Sequence, residues 1–263
     1  MLYGAIIGDI AGSRFEFAPA PEKNFELFDL SDSFTDDSIL TIAIYEAVKF
    51  IKEHNITLDS RIREVFKSKL QYYGKLYPCP KGGYGSMFLS WLERNSDKPY
   101  NSCGNGSAMR VSSIGWLYDT LEETEYMAEL SAAVTHNHPE GMKGAKAIAG
   151  AIFLARTGHD KKDIKKYIEN LGYTIVACKH ISSRFEPKCQ ETVPICISAF
   201  LEGNSYEDVI RTAISIGGDT DTNGCIAGSV AEAFYGIPQE LIDQCDVYLD
   251  EKLLKIVKEA NQV

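Results

Sequence analysis

Hydrophobic positions along this 263-residue chain repeat with helical spacing over most of its length. Leu40, Ala43, Ile44, Ala47, Val48 and Ile51 fall at i, i+3, i+4, i+7, i+8 and i+11, which is one apolar face of a long helix. Ala227, Val230, Ala231 and Phe234 repeat the pattern, with Gly236 and Pro238 as stop signals. Leu253, Ile256 and Val257 do so again near the C-terminus. The stretch from Gly141 to Ala155 is crowded with glycine and alanine around Ile148, Ile152 and Phe153, which predicts a buried helix that neighbours approach closely. Weaker patterns predict helices over about 58–73, 84–94, 106–118, 122–134, 161–169, 189–201 and 205–214. Only Tyr173–Cys178 has strand character. A sheet needs several such runs, so the expectation is a single compact all-α domain over residues 1–263.

Composition narrows the function classes. Hydrophobic residues make up 44% and charged residues 24%, as in ordinary ordered domains, and no repeat or low-complexity tract interrupts the chain. The longest nearly apolar run, Ala147–Ala155, is far shorter than the roughly 18–20 residues that span a bilayer, so no membrane partner is expected. The Met-Leu-Tyr-Gly-Ala start lacks a basic region and meets an acid at Asp9, unlike a signal peptide, and a cytoplasmic location is the expectation. With 27 Lys and Arg against 37 Asp and Glu, the net charge of −10 argues against a general nucleic-acid surface. Seven cysteines without a Cys-x-x-Cys pair indicate buried free thiols rather than disulfides or zinc. Oligomeric state is not legible in these residues.

Two acidic clusters stand at predicted helix starts. In Thr35-Asp36-Asp37-Ser38, Thr35 or Asp36 suits an N-cap, and the acids complement the helix dipole. Gly217-Gly218-Asp219-Thr220-Asp221-Thr222 carries one acid more than capping needs. Paired glycines favour an extended or turning backbone there, on which Asp219 and Asp221 converge, and convergent carboxylates call for a cation or a proton between them. Asp219, Asp221, Asn223, Gly224 and Ile226 imitate a calcium EF-hand loop, but its twelfth position is Val230 instead of glutamate, so that reading is rejected.

Three glycine-containing stretches read as turns able to approach a ligand: Gly4–Gly12, Gly82–Ser86 and Gly104–Arg110. None has Walker or Rossmann spacing. The run Thr135-His136-Asn137-His138-Pro139-Glu140 lacks the spacing of a zinc protease and reads as a polar loop before a helix that begins at Pro139. His54, His159 and His180 read as surface residues.

Taken in order, the segments Gly8-Asp9…Gly12…Glu16, Thr35-Asp36-Asp37-Ser38, Gly83-Tyr84-Gly85, Gly104-Asn105-Gly106-Ser107-Ala108-Met109-Arg110, Thr135-His136-Asn137-His138-Pro139, Val193-Pro194 and Gly217-Gly218-Asp219-Thr220-Asp221-Thr222 resemble the ADP-ribosylglycohydrolase family. The resemblance implies an orthogonal all-α fold around two Mg²⁺ ions, or Mn²⁺ in some members. It implies Thr35, Asp36 and Asp37 as ligands from one helix start, and Asp219, Asp221 and Thr222 from the other. Glu16, Asp36 and Asp219 would be catalytic. Gly83, Tyr84, Gly85, Gly104, Asn105, Gly106, Ser107 and His138 would hold an ADP-ribosylated substrate. The implied activity is hydrolysis of the bond between ADP-ribose and an acceptor: a protein side chain, a nucleic-acid base or a small molecule. Two other functions suit the same residues, a non-catalytic ADP-ribose-binding or structural relative and a metal-dependent phosphoesterase. Only 18 residues separate Glu16 from Thr35, so loops that contact the leaving group are expected to be trimmed.

Overall fold

A computed structural model describes residues 1–181 and 185–262. It is all-α, 64% helical, with no strand among the described residues. The first half contains α1 (Tyr3–Gly12), α2 (Asp36–Glu53), α3 (Asp59–Leu76), α4 (Ser86–Glu93), α5 (Gly106–Met109), α6 (Ser112–Leu117) and α7 (Leu121–Ala133). The second contains α8 (Pro139–Arg156), α9 (Lys161–Asn170), α10 (Cys189–Glu202), α11 (Tyr206–Ser215), α12 (Thr220–Tyr235), α13 (Gln239–Asp246) and α14 (Glu251–Ala260). One hydrophobic cluster reaches from Met1 to Ala260 and joins them.

The centre is an antiparallel pair, α1 against α12, with every residue of α1 buried. Gly4, Gly8 and Gly12 lie one turn apart on one face and oppose Gly228, Gly224 and Thr220. A Cβ added at Gly8 would overlap the Gly224 carbonyl, and one added at Gly224 would overlap Gly8. Small residues every fourth position let the two backbones touch, and that fixes the register of the pair. Gly4–Gly12 is therefore a helix, not the turn expected from its glycines. The register also sets the site: the C-terminal end of α1 lies beside the N-terminal end of α12.

Elsewhere the apolar face of Leu40–Ile51 is buried along α2, and the Gly/Ala-rich α8 is buried from Gly144 through Ala155, apart from Lys146. The helix expected over 106–118 is broken at Arg110–Val111 into α5 and α6. Tyr173–Cys178 is not a strand: it runs without a regular element into a 3₁₀ turn at Cys178–His180, with no strand among the described residues to supply a ladder. All seven cysteines are free, but only Cys189, Cys196, Cys225 and Cys245 are buried; Cys79 is exposed.

Candidate metal centre and substrate cleft

Two helix N-termini and the end of a third helix meet at the floor of a cleft of about 450 Å³. Thr35 is the N-cap of α2, its hydroxyl accepting from the Asp37 N–H at 3.2 Å. Its own proton goes to Asp9 of α1 at 2.7 Å. The Thr35 and Ser38 N–H groups and the Ser38 hydroxyl also donate to Asp9, which ties the start of α2 to the middle of α1. Capping and site-building are thus one arrangement.

At the start of α12, Gly217 and Gly218 adopt φ of 84° and 80°, a left-handed turn that side-chain-bearing residues resist. Asp219 takes the N-cap position, and Asp221 already lies within the first helical turn. The backbone is therefore not extended across both acids as expected, yet their carboxylates converge. The Asn105 side chain holds Asp219 at 2.7 Å and bonds Thr192 at 3.0 Å. Thr222 donates its hydroxyl to Asp37 at 3.2 Å and its N–H to Asp221 at 2.9 Å, linking the two acidic turns. Glu16 follows α1 and fits under Gly82, where a Cβ would strike its carboxylate.

The carboxylates form two triads. Oxygens of Asp9, Asp37 and Asp221 all lie within 4.8 Å of one another, as do those of Glu16, Asp219 and Asp221. Asp221 belongs to both. None of these acids, nor Asp36 beside them, forms an ion pair with lysine or arginine among the described residues. Asp37 Oδ1 is buried without any hydrogen-bond partner. Burial, reinforced by the neighbouring acids, pushes the Asp36, Asp37 and Asp221 carboxyls well above the usual range, and burial raises Asp9. Glu16, half-buried, is pushed up to about 7 by burial and then by the charges of Asp219 and Asp9. Hard oxygen donors, an unpartnered carboxylate oxygen and uncompensated charge fit divalent cations of the Mg²⁺ or Mn²⁺ kind.

Above this floor, Gly83, Tyr84, Gly85, Gly104, Asn105 and Gly106 line the walls, and Phe17, Met87 and Phe185 stand at the rim. Thr35 lies beneath the cleft lining, its Oγ1 among the first triad at 2.7 Å from Asp9 and 3.5 Å from Asp37. Two expected residues lie elsewhere: Ser107 donates to the Gly141 carbonyl at 2.7 Å, and His138 caps α8 by accepting from the Glu140 N–H at 3.1 Å. The histidine that lines the cleft is His136, buried, its Nε2 against Gly104 and Gly106. Asp9 was also not singled out as a site residue. A carboxylate embedded in the apolar run Ala5–Ala11 was its signal, because burial there demands a partner.

The ADP-ribosylglycohydrolase family profile matches residues 1–263. The chain belongs to this family. It is similar to human ADP-ribosylhydrolase ARH3, at 24% identity over an alignment of 342 residues that covers 96% of this chain and 90% of the relative. An uncharacterized protein of Archaeoglobus fulgidus is 28% identical (96% and 90% covered), and the mimivirus putative ADP-ribosyl glycohydrolase L543 is 25% identical (92% and 88%). A solved structure titled an ADP-ribosylglycohydrolase-related protein complex shares the fold, with a TM-score of 0.70, 19% identity and coverage of 96% and 92%. The human alignment is longer than this chain, so that glycohydrolase relative carries segments absent here.

Proposed function

We propose that the protein is a divalent-cation-dependent hydrolase that cleaves the bond joining the anomeric carbon of ADP-ribose to an acceptor. The pair of carboxylate triads sharing Asp221, set at the floor of a cleft in a chain of this family, carries the reading. Thr35, Asp36, Asp37, Asp219, Asp221 and Thr222, with Asp9, are the residues that would hold two Mg²⁺ or Mn²⁺ ions. Bound there, such cations would orient the ribose hydroxyls and acidify a water molecule.

The chain's own groups supply the rest. The Gly83–Gly85 turn is open at both glycines and leaves the backbone there free of side-chain bulk for phosphate and ribose oxygens, whereas the Gly104 and Asn105 N–H groups are already held by Ser102 and the Pro187 carbonyl. Glu16, half-buried beside Asp219, is placed to give a proton to the leaving group or take one from water as an oxocarbenium-like state develops. A Glu16→Gln variant is expected to lose roughly 10²–10⁴-fold in kcat while still binding ADP-ribose, read by steady-state kinetics and calorimetry.

The deciding assay offers ADP-ribosylated arginine, serine and DNA with Mg²⁺ or Mn²⁺ and identifies the products. Free ADP-ribose, abolished by exhaustive EDTA treatment, is expected. AMP or phosphate instead would make the protein a phosphoesterase, and binding without turnover would make it a non-catalytic relative.

Stability has a matching signature. Carboxyls whose folded-state pKa lies above the unfolded value bind more protons when folded, so stability is lost as pH rises through the window from about 4 upward. Differential scanning calorimetry of the metal-free protein is expected to show Tm falling from about pH 5 to about pH 8. Saturating Mg²⁺ or Mn²⁺ is expected to raise Tm most at the alkaline end. A flat profile without metal contradicts the arrangement.

A further inference from the structure

Lys81 stands just outside the cleft lining, immediately before the glycine turn whose first residue, Gly82, receives Glu16. Its backbone forms a bridge to Thr35, and its side chain reaches back to the loop that joins α1 to α2. The ammonium donates to Ser13 Oγ at 3.2 Å and to the Ser31 carbonyl at 2.6 Å. No carboxylate forms an ion pair with it among the described residues. A lysine placed on two neutral oxygens instead of an acid acts as a tie between them.

Those oxygens belong to the two limbs of one loop. Ser13 is on the outgoing limb, shortly before Glu16, and Ser31 is on the returning limb, shortly before Thr35. The Ser13 hydroxyl donates to the Ile10 carbonyl at 2.8 Å and accepts from the Ser33 N–H at 3.2 Å, so with Lys81 its proton and both lone pairs are engaged. Arg14 adds a second cross-link, donating to Asp32 and to the Glu26 carbonyl. Phe15 packs against the core, but Phe17–Ala20 are exposed, so packing fixes Glu16 from one side only. On the other side the Glu16 carboxylate rests against Gly82, at a left-handed turn with φ of 76°. Lys81 thus fastens the loop to the same turn that seats the carboxylate, and its charge attracts Glu16 as well.

We propose that Lys81 is a positioning residue: by tying both limbs of the Ser13–Phe34 loop to the Gly82 turn, it holds the Glu16 carboxylate at one place on the cleft floor. Its side chain belongs to neither carboxylate triad and does not line the cleft. It therefore acts on turnover through Glu16, and binding of cations and of ADP-ribose does not depend on it. The effect on turnover rests on the hydrolase reading above; the tie itself does not.

The test compares Lys81→Met, which keeps the length but not the ammonium, with Lys81→Arg, each alone and in the Glu16→Gln background. Hydrogen–deuterium exchange read by mass spectrometry is expected to speed up about tenfold or more across residues 13–34 in Lys81→Met, with α1 and α12 unchanged. Lys81→Arg, which keeps charge and donors, is expected to restore most of the protection. In Lys81→Met, kcat is expected to fall about 10²-fold, while the calorimetric affinities for ADP-ribose and Mn²⁺ stay within about twofold of wild type. In the Glu16→Gln background the same substitution is expected to cost less than about twofold in kcat, because the group it positions is already gone. A general structural role would cost the same in both backgrounds. An unchanged kcat, an equal loss in the two backgrounds, or unchanged loop exchange overturns the proposal. A wild type that turns over no ADP-ribosyl substrate overturns the hydrolase reading instead, and the loop exchange, which needs no turnover, then decides the tie. Should Lys81→Met fail to fold, Lys81→Gln, too short to reach both oxygens, takes its place.

Discussion

An Asp221→Asn variant is expected to lose cation binding at both positions and more than about a thousandfold in kcat/KM, a loss of about 4 kcal/mol in transition-state stabilisation. Asp221 alone belongs to both carboxylate triads, so neutralising it leaves each with only two acids. Asparagine keeps the size of the side chain and an oxygen able to accept from the Thr222 N–H. The fold is therefore expected to survive. In fact the metal-free variant is expected to melt at a higher temperature than the metal-free wild type at neutral pH, because one buried like charge is gone. Greater stability with lost activity is a signature that simple unfolding cannot produce. Asp36→Asn is the comparison: Asp36 lines the cleft but stands outside both triads, and Mn²⁺ titration is expected to retain more binding there than in Asp221→Asn. Equal retention of two cations by Asp221→Asn would remove the shared-ligand account.

The second large effect is structural. Gly8→Val is expected to destabilise the protein by about 3 kcal/mol or more, because its new side chain meets the Gly224 backbone and cannot be relieved by a rotamer change. For a chain of this size that lowers Tm by about 6–12 °C. Valine or alanine on an open helix face would gain propensity over glycine, so the sign of the result tests the packing and not the helix. Pushing α1 away from α12 also displaces Asp9 from Asp37 and Asp221, so cation affinity is expected to fall with stability. Gly85→Ala is the control. It has an ordinary φ of −53° and nothing within 4 Å of a new Cβ, and a change in Tm within experimental error is expected.

Much of this architecture is legible from spacing alone, where an element has one apolar face. Leu40–Ile51 became the buried face of α2, and Leu253 and Val257 the buried face of α14. The reading failed at α1, which is buried on every side. In α1 the glycines stand four apart because two backbones touch, but singly each signals a turn, and the apolar residues show no polar face to reveal the period. The same blindness hid Asp9, whose role depends on contact with Thr35 and Ser38 more than 25 residues away. The acidic turns were visible because two carboxylates exceed what capping requires. The histidine was misplaced by one helical cap: His136 and His138 are indistinguishable in sequence, and only the entry of the chain into α8 turns one inward and the other to the Glu140 N–H.

The most direct test of the whole account is the position of bound cations. Crystals grown or soaked with Mn²⁺, with diffraction recorded at the manganese absorption edge, are predicted to give two anomalous peaks, each within bonding distance of a different triad and both next to Asp221. A single peak away from Asp221, or none at saturating Mn²⁺, would contradict it.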